Sequence, residues 1–483
     1  MELKKLLQNL DYHILQGSIE KEIQAIEYDS RKAGADTMFV CIKGFQTDGH
    51  RYAQAAVQQG ATALLVEDAL EQLPDAVTVI QVADTRAALA QVSAVFFENP
   101  SQKMHLVGIT GTNGKTTTTY LIRSVLMKQG KKVGLIGTIE NRIGDQVIPT
   151  QRTTPESREL QELFQQMVKE GVTDAVMEVS SHALCLHRVD GLAFEIGVFT
   201  NLTQDHLDYH KTMENYRAAK GMLFSRVKKA VINADDAAGA YMAAQCDGQV
   251  LTYAIDADAD LKAEKVEVSL RGTSFQLDYA GKTYPVHVHT PGRFSVYNAL
   301  AAMGACIFLG IPMEDIIQGL RENEGVHGRF QSVPTGNGSV AIVDYAHTPD
   351  GLENILQTAK DFAKGKIIAV FGCGGDRDRT KRPVMGEIGG KYADLCILTS
   401  DNPRTEDPLK ILREVEAGTS KTGCPYLVIP DRREAICKAV ALAKENDVIL
   451  IAGKGHETYQ IFADRTIHFD DVEEVRKAVR ENK

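Results

Sequence analysis

The clearest chemical feature of this sequence is a glycine-rich turn between an apolar strand and a helix. Residues 107 to 126 read VGITGTNGKTTTTYLIRSVL, and the turn itself runs from Thr110 to Thr116. A turn of this kind presents backbone N–H groups and the positive end of a helix to an anion. Lys115 can reach the outer phosphates of a nucleotide, and the Thr116 hydroxyl can bind magnesium. The pattern predicts a nucleotide triphosphate site, against the alternative of a purely structural turn.

Polar side chains follow two later apolar strands at the point where each strand ends. Glu178 closes the run DAVMEV, and His206 lies just beyond IGVFTNL in the stretch TQDHLDYH. In open α/β sheets, ligands bind at the carboxyl ends of the strands. A carboxylate there can complete a magnesium shell opposite Thr116, and an imidazole can bind a second divalent cation. The alternatives are a surface glutamate and ordinary structural histidines.

Strands that alternate with helices are the predicted elements that position these residues. From His105 onward, apolar strands and helical stretches alternate, which indicates parallel strands joined by crossover helices. Residues 262 to 289 instead alternate with a period of two between glycine turns, which predicts antiparallel hairpins. A further α/β section follows Arg329.

We expect an α/β protein of three domains, because 483 residues exceed what one hydrophobic core supports. The first predicted domain covers residues 1–100. The second covers residues 101–329 and is a central P-loop domain built on a parallel sheet. The third covers residues 330–483 and is a C-terminal Rossmann-like domain.

Composition and charge exclude several classes of protein. The formal net charge is −10, and the sequence has no basic stripe that could neutralise a nucleic-acid backbone. The eight cysteines lie far apart and form no C-x-x-C pair, which is typical of free thiols in a reducing compartment. The amino-terminal stretch MELKKLLQNLDYHIL is amphipathic, so it predicts neither a signal peptide nor a membrane span. We expect a cytoplasmic protein with no nucleic-acid or membrane partner.

Eight motifs occur in order over nearly the whole chain. They are TGTNGKTT, MEVSSHAL, NLTQDHLDYH, YRAAKGMLF, PGRFSVYNALAA, HGRF, DYAHTPD and TSDNPR. This set resembles the Mur peptide ligases of peptidoglycan precursor synthesis, and most closely those that add 2,6-diaminopimelate. The resemblance implies that ATP phosphorylates the D-glutamate γ-carboxyl of a UDP-N-acetylmuramoyl dipeptide (UDP-MurNAc-dipeptide). An amine then attacks the acyl phosphate and forms an amide.

The resemblance also implies which residues hold ATP and the metal. Thr116, Glu178 and His206 match the family's magnesium ligands, and Lys115 matches the lysine that steadies the transferred phosphoryl group. Lys220 matches a lysine that is carbamylated in related ligases, which turns a cation into an oxygen ligand for the metal. Without the resemblance, Lys220 reads as a solvated helix lysine. The implied nucleotide contacts are Thr110, Gly111, Thr112, Asn113, Gly114, Lys115, Thr116, Asn298, Arg329, Asp344 and His347.

The UDP-MurNAc-dipeptide is expected between the first two domains, of which residues 1–100 bind its UDP end. Ser30 of DSRK matches the family's uridine-nucleotide contact. The residues that match contacts to the muramyl dipeptide are Thr153, Thr154, Ser181 and Arg188. Arg152 and Leu186 differ from the residues that some relatives have at these positions.

The motif DNPR, at residues 401 to 404, is predicted to choose the amine in the amino-acid-binding domain, residues 330–483. Diaminopimelate resembles lysine with a second carboxylate, and the planar fork of Arg404 suits a carboxylate. Leaving that guanidinium unpaired would disfavour lysine by about 2 to 4 kcal/mol. Without the resemblance, DNPR is an ordinary proline turn. The implied contacts to diaminopimelate are Arg377, Asp401, Asn402, Pro403, Arg404, Gly453 and Glu457.

Three other functions are weighed against this one. A lysine-adding Mur ligase is the nearest, and Arg404 argues against it. A ligase like folylpolyglutamate synthetase shares the turn and the carbamylated lysine but is not expected to carry DNPR with GKGHE. A G-protein-like switch needs an N-K-x-D motif, which this sequence lacks. We predict a monomeric ligase that adds meso-diaminopimelate and uses ATP, Mg²⁺ and carbamylated Lys220.

Overall fold

The computed structural model of this chain describes residues 1–44, 47–150, 152–269 and 271–481. They form two compact units, of which the first is Met1–Tyr253 with Ala301–Asp315 and the second is Ala254–Leu300 with Ile316–Lys483. The predicted domain boundaries at residues 100 and 329 stay predictions. Among the described helices, none combines the length and the apolar character that crossing a membrane requires.

The first unit begins with a five-stranded sheet. Its strands are β1 (His13–Gln16), β2 (Ala25–Glu27), β3 (Thr37–Val40), β4 (Ala61–Val66) and β5 (Thr78–Gln81). Its helices are α1 (Leu3–Leu6), α2 (Ala53–Gln58) and α3 (Thr85–Phe96), and short 3₁₀ turns cover Ser30–Lys32, Gly49–Tyr52 and Pro100–Lys103. The order across the sheet is β1-β5-β4-β3-β2, with β2 to β5 parallel and β1 antiparallel at the edge. Successive strand residues face opposite sides, so Met38 and Phe39 enter two separate cores.

The larger sheet of the first unit carries the phosphate turn. Its strands are β6 (His105–Thr110), β7 (Val133–Ile136), β8 (Asn141–Ile143), β9 (Gln146–Ile148), β10 (Asp174–Glu178), β11 (Ile196–Phe199), β12 (Lys229–Asn233) and β13 (Gln249–Ala254). Between them lie α4 (Lys115–Lys128), α5 (Ser157–Lys169), α6 (Ser181–Cys185), α7 (Leu207–His210), α8 (Met213–Gly221), a 3₁₀ turn (Phe224–Arg226) and α9 (Gly239–Ala243). The order is β13-β12-β11-β6-β10-β7-β8-β9.

The predicted parallel arrangement of this larger sheet is confirmed. β6, β7, β10, β11, β12 and β13 pair in parallel, and β8 and β9 extend the edge as antiparallel strands. β6 is flanked by β10 and β11, so the carboxyl ends of these three strands meet at one edge. That edge is where an open α/β sheet binds ligands. The pairing therefore explains why Thr110 and Glu178, which end β6 and β10, approach each other.

An antiparallel three-stranded element in the second unit confirms the predicted hairpins. Its strands are β14 (Leu261–Ser269), β15 (Gly272–Tyr279) and β16 (Lys282–Val288). Two helices follow, α10 (Arg293–Phe308) and α11 (Met313–Arg321). The period-two pattern buries one side of the strands, as at Phe275 and Leu277, and leaves charged residues on the other.

The second unit ends in a six-stranded sheet. Its strands are β17 (Gln331–Pro334), β18 (Val340–Asp344), β19 (Ile367–Phe371), β20 (Leu395–Leu398), β21 (Tyr426–Val428) and β22 (Val448–Ala452), and a separate hairpin is formed by β23 (Tyr459–Ile461) and β24 (Thr466–His468). Its helices are α12 (Pro349–Phe362), α13 (Lys381–Tyr392), α14 (Pro408–Thr419), α15 (Arg432–Leu442) and α16 (Asp471–Glu481), with a 3₁₀ turn at Ser420–Thr422. The order is β17-β18-β22-β19-β20-β21, parallel except for β17.

The four motif-bearing loops of the second unit follow parallel strands of this sheet. DYAHTPD follows β18, GGDRDR follows β19, DNPR follows β20 and GKGHE follows β22. Because these strands are parallel, their carboxyl ends and the loops after them lie at one edge. Residues far apart in the sequence can therefore form one site.

Candidate active site

The structure forms the predicted turn between β6 and α4. Gly111 has a φ of 152° and Gly114 a φ of 85°, and both values favour glycine. A Cβ atom on Gly111 would overlap Thr200 Oγ1, so the turn closes only over a glycine at this position. α4 begins at Lys115, and the amides of a first helical turn have no partner inside the helix. These amides are the groups that can meet a phosphate.

Two residues that were not predicted hold the turn in place. Asn201 accepts the amide of Thr112 with its carbonyl oxygen and the amide of Asn113 with Oδ1, both at 2.9 Å. Thr200 Oγ1 donates to the Asn113 carbonyl at 2.6 Å. Both residues follow β11, which neighbours β6 in the sheet. The sequence signal was the position of TNL directly after an apolar strand.

The two predicted lysines converge on the turn. Lys115 Nζ donates to the carbonyl oxygens of Gly111 and Thr112, each at 2.9 Å. Lys220 Nζ donates to the Gly111 carbonyl at 2.7 Å and lies 4.5 Å from the ring centroid of Tyr216. Lys220 is 1% exposed, which contradicts the interpretation as a solvated helix lysine. Burial, followed by the charge of Lys115, holds the pKa of Lys220 well below its usual value.

Glu178 lies beside the turn and contacts Thr116. Its Oε1 accepts from Thr116 Oγ1 and from the amide of Thr138, both at 2.9 Å. Its Oε2 accepts from Thr138 Oγ1 at 2.9 Å. The residue is 1% exposed, and among the described residues it forms no salt bridge. A buried carboxylate held by two hydroxyls and an amide, with no cation beside it, has the chemistry of a divalent-cation ligand.

His206 stands at the start of α7 with a left-handed φ of 53°. Its ring centroid is 4.9 Å from that of His182, and its side chain is 46% exposed. Burial lowers its pKa, with the charge of Asp205 opposing the shift. Across the described part of the chain, neither a hydrogen bond nor an ion pair joins His206 to Glu178. The metal role of His206 therefore stays a prediction.

A compact group of metal-type ligands occurs elsewhere, at the ends of β3 and β4. Asp48, His50 and Asp68 are the one set of three described carboxylate or imidazole groups whose ligand atoms lie within 4.8 Å of one another. The ring of His50 is already engaged at both nitrogens. Its Nδ1 is 2.6 Å from Asp48 Oδ1, and its Nε2 accepts the amide of Glu67 at 3.0 Å. We interpret the group as a loop-stabilising network.

The predicted muramyl contacts lie close to Glu178. Thr153 Oγ1 lies 3.1 Å from Thr138 Oγ1, and Thr154 Oγ1 donates to the Glu178 carbonyl at 2.9 Å. Arg188 Nη1 donates to the Thr154 carbonyl at 3.2 Å. The structure therefore brings three of the predicted substrate residues to the end of β10.

Ser181 and Ser30 occupy separate places in the first unit. Ser181 opens α6 and is buried, with its Oγ 2.9 Å from His210 Nε2. Burial lowers the pKa of His210 to about 4, so the ring is neutral at physiological pH. Ser30 is half-buried and begins a 3₁₀ turn after β2, where Asp29 accepts the amide of Arg31.

Three arginines surround Glu156, a buried residue that was not predicted. Arg152 Nη1 lies 2.7 Å and Arg188 Nε 3.0 Å from Oε1 of Glu156. Arg86 Nη1, on α3, lies 3.5 Å from Oε2. One carboxylate balances only one of three guanidinium groups, so the cluster keeps a surplus of positive charge. No local sequence pattern could have paired Arg86 with Glu156, because Arg86 lies on α3 and Glu156 directly before α5, far apart in the sequence.

The predicted nucleotide residues of the second unit gather partly around Tyr345. Arg329 places its guanidinium carbon 4.9 Å from the Tyr345 ring centroid, and the exposed His347 ring lies 4.6 Å from it. Burial raises the pKa of Asp344, with Arg329 opposing the shift. Asn298 is buried within α10. The nucleotide contacts of these residues stay predictions.

The two predicted carboxylate-binding arginines flank one glycine. A Cβ atom on Gly374 would lie 2.9 Å from Arg404 Nη1 and 3.9 Å from Arg377 Cγ. Arg404 Nη1 donates to the Gly375 carbonyl at 2.9 Å, and Arg377 Nη1 donates to the Asp376 carbonyl at 3.2 Å. Neither guanidinium forms a salt bridge with another described residue. Both cations can therefore pair with carboxylates of a ligand.

A buried lysine holds the predicted acceptor groups. Asn402 Nδ2 and Lys454 Nζ both donate to Glu457 Oε2 at 2.9 Å. Lys454 Nζ also donates to Asn402 Oδ1 at 3.1 Å, and its side chain is fully buried. Lys454 was not among the predicted substrate residues, although it lies in the motif GKGHE that contains Gly453 and Glu457. The two hydrogen bonds of Lys454 hold Asn402, in the loop after β20, and Glu457, in the loop after β22.

Asp401, Pro403 and Gly453 complete the predicted amine set. Asp401 is buried, and its Oδ2 would lie 2.6 Å from a Cβ atom on Gly453. Gly453 has a φ of 118°, which only glycine adopts readily, and Pro403 is buried in the turn before Arg404. The close approach of Gly453 to Asp401 therefore needs a residue without a side chain.

Family comparisons cover most of the chain. The family described as Mur ligase family, catalytic domain, matches residues 22–97. The Mur ligase middle domain matches residues 109–306, and the Mur ligase, glutamate ligase domain matches residues 328–455.

Individual relatives match over the full length. A UDP-N-acetylmuramoyl-L-alanyl-D-glutamate–2,6-diaminopimelate ligase from Caldanaerobacter subterraneus is 50% identical over 483 residues, covering 100% of both chains. The enzyme of that name from Halalkalibacterium halodurans is 51% identical over 95% of each chain. A solved structure under the same name has a TM-score of 0.75 and 33% identity, and covers 100% of this chain and 99% of its own. The chain belongs to the Mur ligase family, which confirms the predicted resemblance, the ligase class and the three-domain α/β architecture.

Proposed function

We propose that this chain is the ATP-dependent ligase that joins meso-2,6-diaminopimelate to the D-glutamate γ-carboxylate of UDP-N-acetylmuramoyl-L-alanyl-D-glutamate. The pair of arginines around Gly374 carries this proposal, because two guanidinium groups that form no salt bridge with any described residue suit a substrate with two carboxylates. The full-length relatives bear the name of this activity. The reaction belongs to peptidoglycan precursor synthesis.

ATP binds at the turn between β6 and α4. The amides at the start of α4 meet the phosphates, and Lys115 leaves its carbonyl partners to contact the transferred phosphoryl group. Thr116 and Glu178 would hold Mg²⁺, since no described cationic residue pairs with the buried carboxylate, and His206 is the proposed third ligand. When bound, Mg²⁺ supplies positive charge between the triphosphate and the substrate carboxylate.

Lys220 carries a carbamate in the active enzyme. Its buried Nζ has a carbonyl partner and, among the described residues, no carboxylate partner. A buried cation without a counter-charge is unfavourable, and the positive charges of Lys115 and a metal favour an anionic group instead. Addition of carbon dioxide to the neutral amine converts the side chain into such an anion and releases one proton. The carbamate oxygen atoms would serve as ligands when a metal is bound.

The sugar-peptide substrate lies along the arginine cluster around Glu156. The surplus positive charge of Arg86, Arg152 and Arg188 suits the anionic groups of this substrate. Thr153, Thr154 and Ser181 orient the peptide near Glu178, while Ser30 contacts the uridine nucleotide. The γ-carboxylate oxygen thereby approaches the transferred phosphoryl group on the side opposite the leaving oxygen of ADP.

The amine substrate is held at both ends. Arg377 and Arg404 pair with its carboxylates, while Asp401 and the Glu457 carboxylate accept from its distal ammonium. Asn402 and Lys454 keep Glu457 Oε2 engaged, which leaves Oε1 of Glu457 to the ligand. The neutral amine at the other end attacks the acyl carbon, the bond between that carbon and the phosphate oxygen breaks, inorganic phosphate leaves, and the nitrogen loses one proton as it becomes the amide. The protein contributes alignment and charge balance to this step.

A phosphate-release assay with omitted substrates tests the proposal. We expect phosphate from ATP only when both the UDP-MurNAc-dipeptide and meso-diaminopimelate are present, together with a new amide product in mass spectra. L-Lysine in place of diaminopimelate should give little product. Equal use of L-lysine would favour the lysine-adding alternative, and hydrolysis of ATP without either substrate would contradict a ligase. A cytoplasmic location and a monomeric state are part of the same proposal.

A further inference from the structure

The two loops that carry the carboxylate-binding arginines lie against each other in the second unit. Arg377 belongs to the loop between β19 and α13, and Arg404 to the loop between β20 and α14. A Cβ atom on Gly375 would overlap the Pro403 carbonyl oxygen, so the two backbones touch. The separation of the two guanidinium groups therefore depends on what holds these loops together.

Glu406 connects the two loops directly. Its Oε1 accepts a hydrogen bond from the backbone amide of Asp376 at 2.6 Å. Asp376 is the residue directly before Arg377. Glu406 lies two residues after Arg404, in the same loop. Its side chain therefore ties the Arg404 loop to the backbone next to Arg377. Thr405 adds a second connection, because its Oγ1 and amide donate to the Asp376 carboxylate at 2.7 and 3.1 Å.

A buried arginine fixes the orientation of Glu406. Arg382 Nη2 donates to Oε1 at 2.7 Å and Nη1 donates to Oε2 at 3.0 Å, which is a two-point contact. The Arg382 side chain is fully buried, and it also donates to Glu414 at 2.8 Å and to the Gly374 carbonyl at 3.2 Å. The hydrogen bonds from Arg382 hold the pKa of Glu406 at about 2, so the carboxylate is charged at any assay pH.

We propose that Glu406 is a positioning residue that sets the separation of Arg377 and Arg404, and with it the length of the dicarboxylate amine that both can bind. This inference rests on the proposed function. A fixed pair of guanidinium groups binds both carboxylates only when their spacing matches. A homologue with one more methylene then keeps one carboxylate paired and loses the other.

The test compares Glu406→Gln with Glu414→Gln. Both substitutions remove one charge beside Arg382, but Glu414 contacts the side chains of Arg379 and Arg382, whereas Glu406 also accepts the Asp376 amide. We expect Glu406→Gln to raise KM for meso-diaminopimelate on the order of tenfold, and Glu414→Gln to raise it less than about twofold. KM for ATP and for the UDP-MurNAc-dipeptide should stay unchanged in both variants.

Substrate length provides the readout that a merely structural role would not move. The ratio of kcat/KM for meso-diaminopimelate over 2,7-diaminooctanedioate should fall in Glu406→Gln and stay at the wild-type value in Glu414→Gln. If Glu406→Gln does not fold, Thr405→Val loosens the same loops at their second connection and should lower the same ratio by a smaller factor.

Several outcomes would overturn the inference. Equal effects of the two glutamate substitutions would do so, as would a rise in all three KM values together in Glu406→Gln. An unchanged length ratio in both Glu406→Gln and Thr405→Val would also overturn it. A wild-type enzyme that forms no amide with diaminopimelate would instead overturn the proposed function, and this inference with it.

Discussion

The phosphate turn and the DNPR loop both concentrate positive charge, but they hold it differently. At the turn, Lys115 and Lys220 donate to backbone carbonyls, and Lys220 is buried there. At the DNPR loop and the GGDRDR loop beside it, Arg404 and Arg377 keep most of their donors and form no salt bridge with other described residues. The buried lysine is therefore suited to chemical change, whereas the arginines are suited to recognising a ligand of fixed shape.

The carboxylates of the two regions also differ in whether a cation lies beside them. Glu178 is held by hydroxyls and an amide and has no cation beside it among the described residues. Glu457 is held by the buried ammonium of Lys454. A carboxylate without a cation can bind a metal, while one that already has a cation works as a fixed hydrogen-bond acceptor. We therefore expect that substitutions at the phosphate turn impair catalysis without changing amine selection, and that substitutions at the DNPR loop do the reverse.

The largest expected effect comes from the buried lysine. Lys220→Ala should lower kcat on the order of 10²- to 10³-fold, because the site loses a group that balances the metal and triphosphate charges. Added short carboxylates such as acetate should restore part of the rate in phosphate-release assays. Arg217→Ala, on the same helix and packed 4.5 Å from the Tyr241 ring centroid, is the matched control and should keep its rate. Wild-type rates in Lys220→Ala would remove the carbamate from the proposal.

The next largest effect is on the choice between diaminopimelate and lysine, and it comes from a substitution that leaves the phosphate turn unchanged. Arg404→Met should reduce the preference for meso-diaminopimelate over L-lysine by about 30- to 1000-fold, which corresponds to about 2 to 4 kcal/mol. Competition between the two amines, read by mass spectrometry of the product, measures the ratio. Arg413→Met, an exposed arginine on α14, serves as the control. An unchanged ratio in Arg404→Met would show that another group selects the amine.

A smaller effect on diaminopimelate binding is expected from substitution of Lys454. Lys454→Met leaves Glu457 and Asn402 without their buried donor, so KM for diaminopimelate should rise about tenfold. KM for ATP should not change, because Lys454 contacts Asn402, Glu457 and the Tyr459 ring, none of which is a predicted nucleotide contact. The exposed Lys444 provides the control substitution, Lys444→Met. A parallel rise in KM for ATP would contradict the separation of the two regions.

The smallest expected effect is a difference in acid response between the units. Asp470 lies 2.9 Å from His327 Nε2 and raises the pKa of that ring, so this contact stabilises the second unit below pH 6.5 and is lost as pH rises through the raised value. His327→Gln should therefore lower Tm by about 1 to 2 °C at pH 6 and by less at pH 9. His210 in the first unit behaves oppositely, since its pKa of about 4 makes burial less favourable as pH falls from 6.5. Equal Tm losses at both pH values would contradict the assignment to His327.

Much of the arrangement could be predicted because local patterns encode it. Apolar runs predicted the parallel strands, and the glycine-rich turn predicted the helix that follows it, α4. The contact between Thr116 and Glu178 followed from the rule that neighbouring parallel strands end at one edge. In each case the necessary information lies within a few residues of the element concerned.

Other parts could not be predicted, because they join segments that no local pattern relates. Arg86 on α3 meets Glu156 at the start of α5, and Asp376 meets Glu406 across two loops. Their partners are chosen by how sheets and loops pack, which sequence spacing does not reveal. Lys454 was overlooked for a similar reason, since burial of a lysine is visible only once the surrounding strands are in place.

The sequence alone determined the class of fold, the phosphate turn and the identity of the groups that can do chemistry, since these depend on residue type and short spacing. The tertiary structure decided which of these groups are buried and which stay unpaired. Lys220 reads as a surface lysine in the bare sequence and becomes a buried amine only because α8 packs it against Gly111. Burial and charge pairing set the properties of an ionisable group, and both arise from segments that folding brings together.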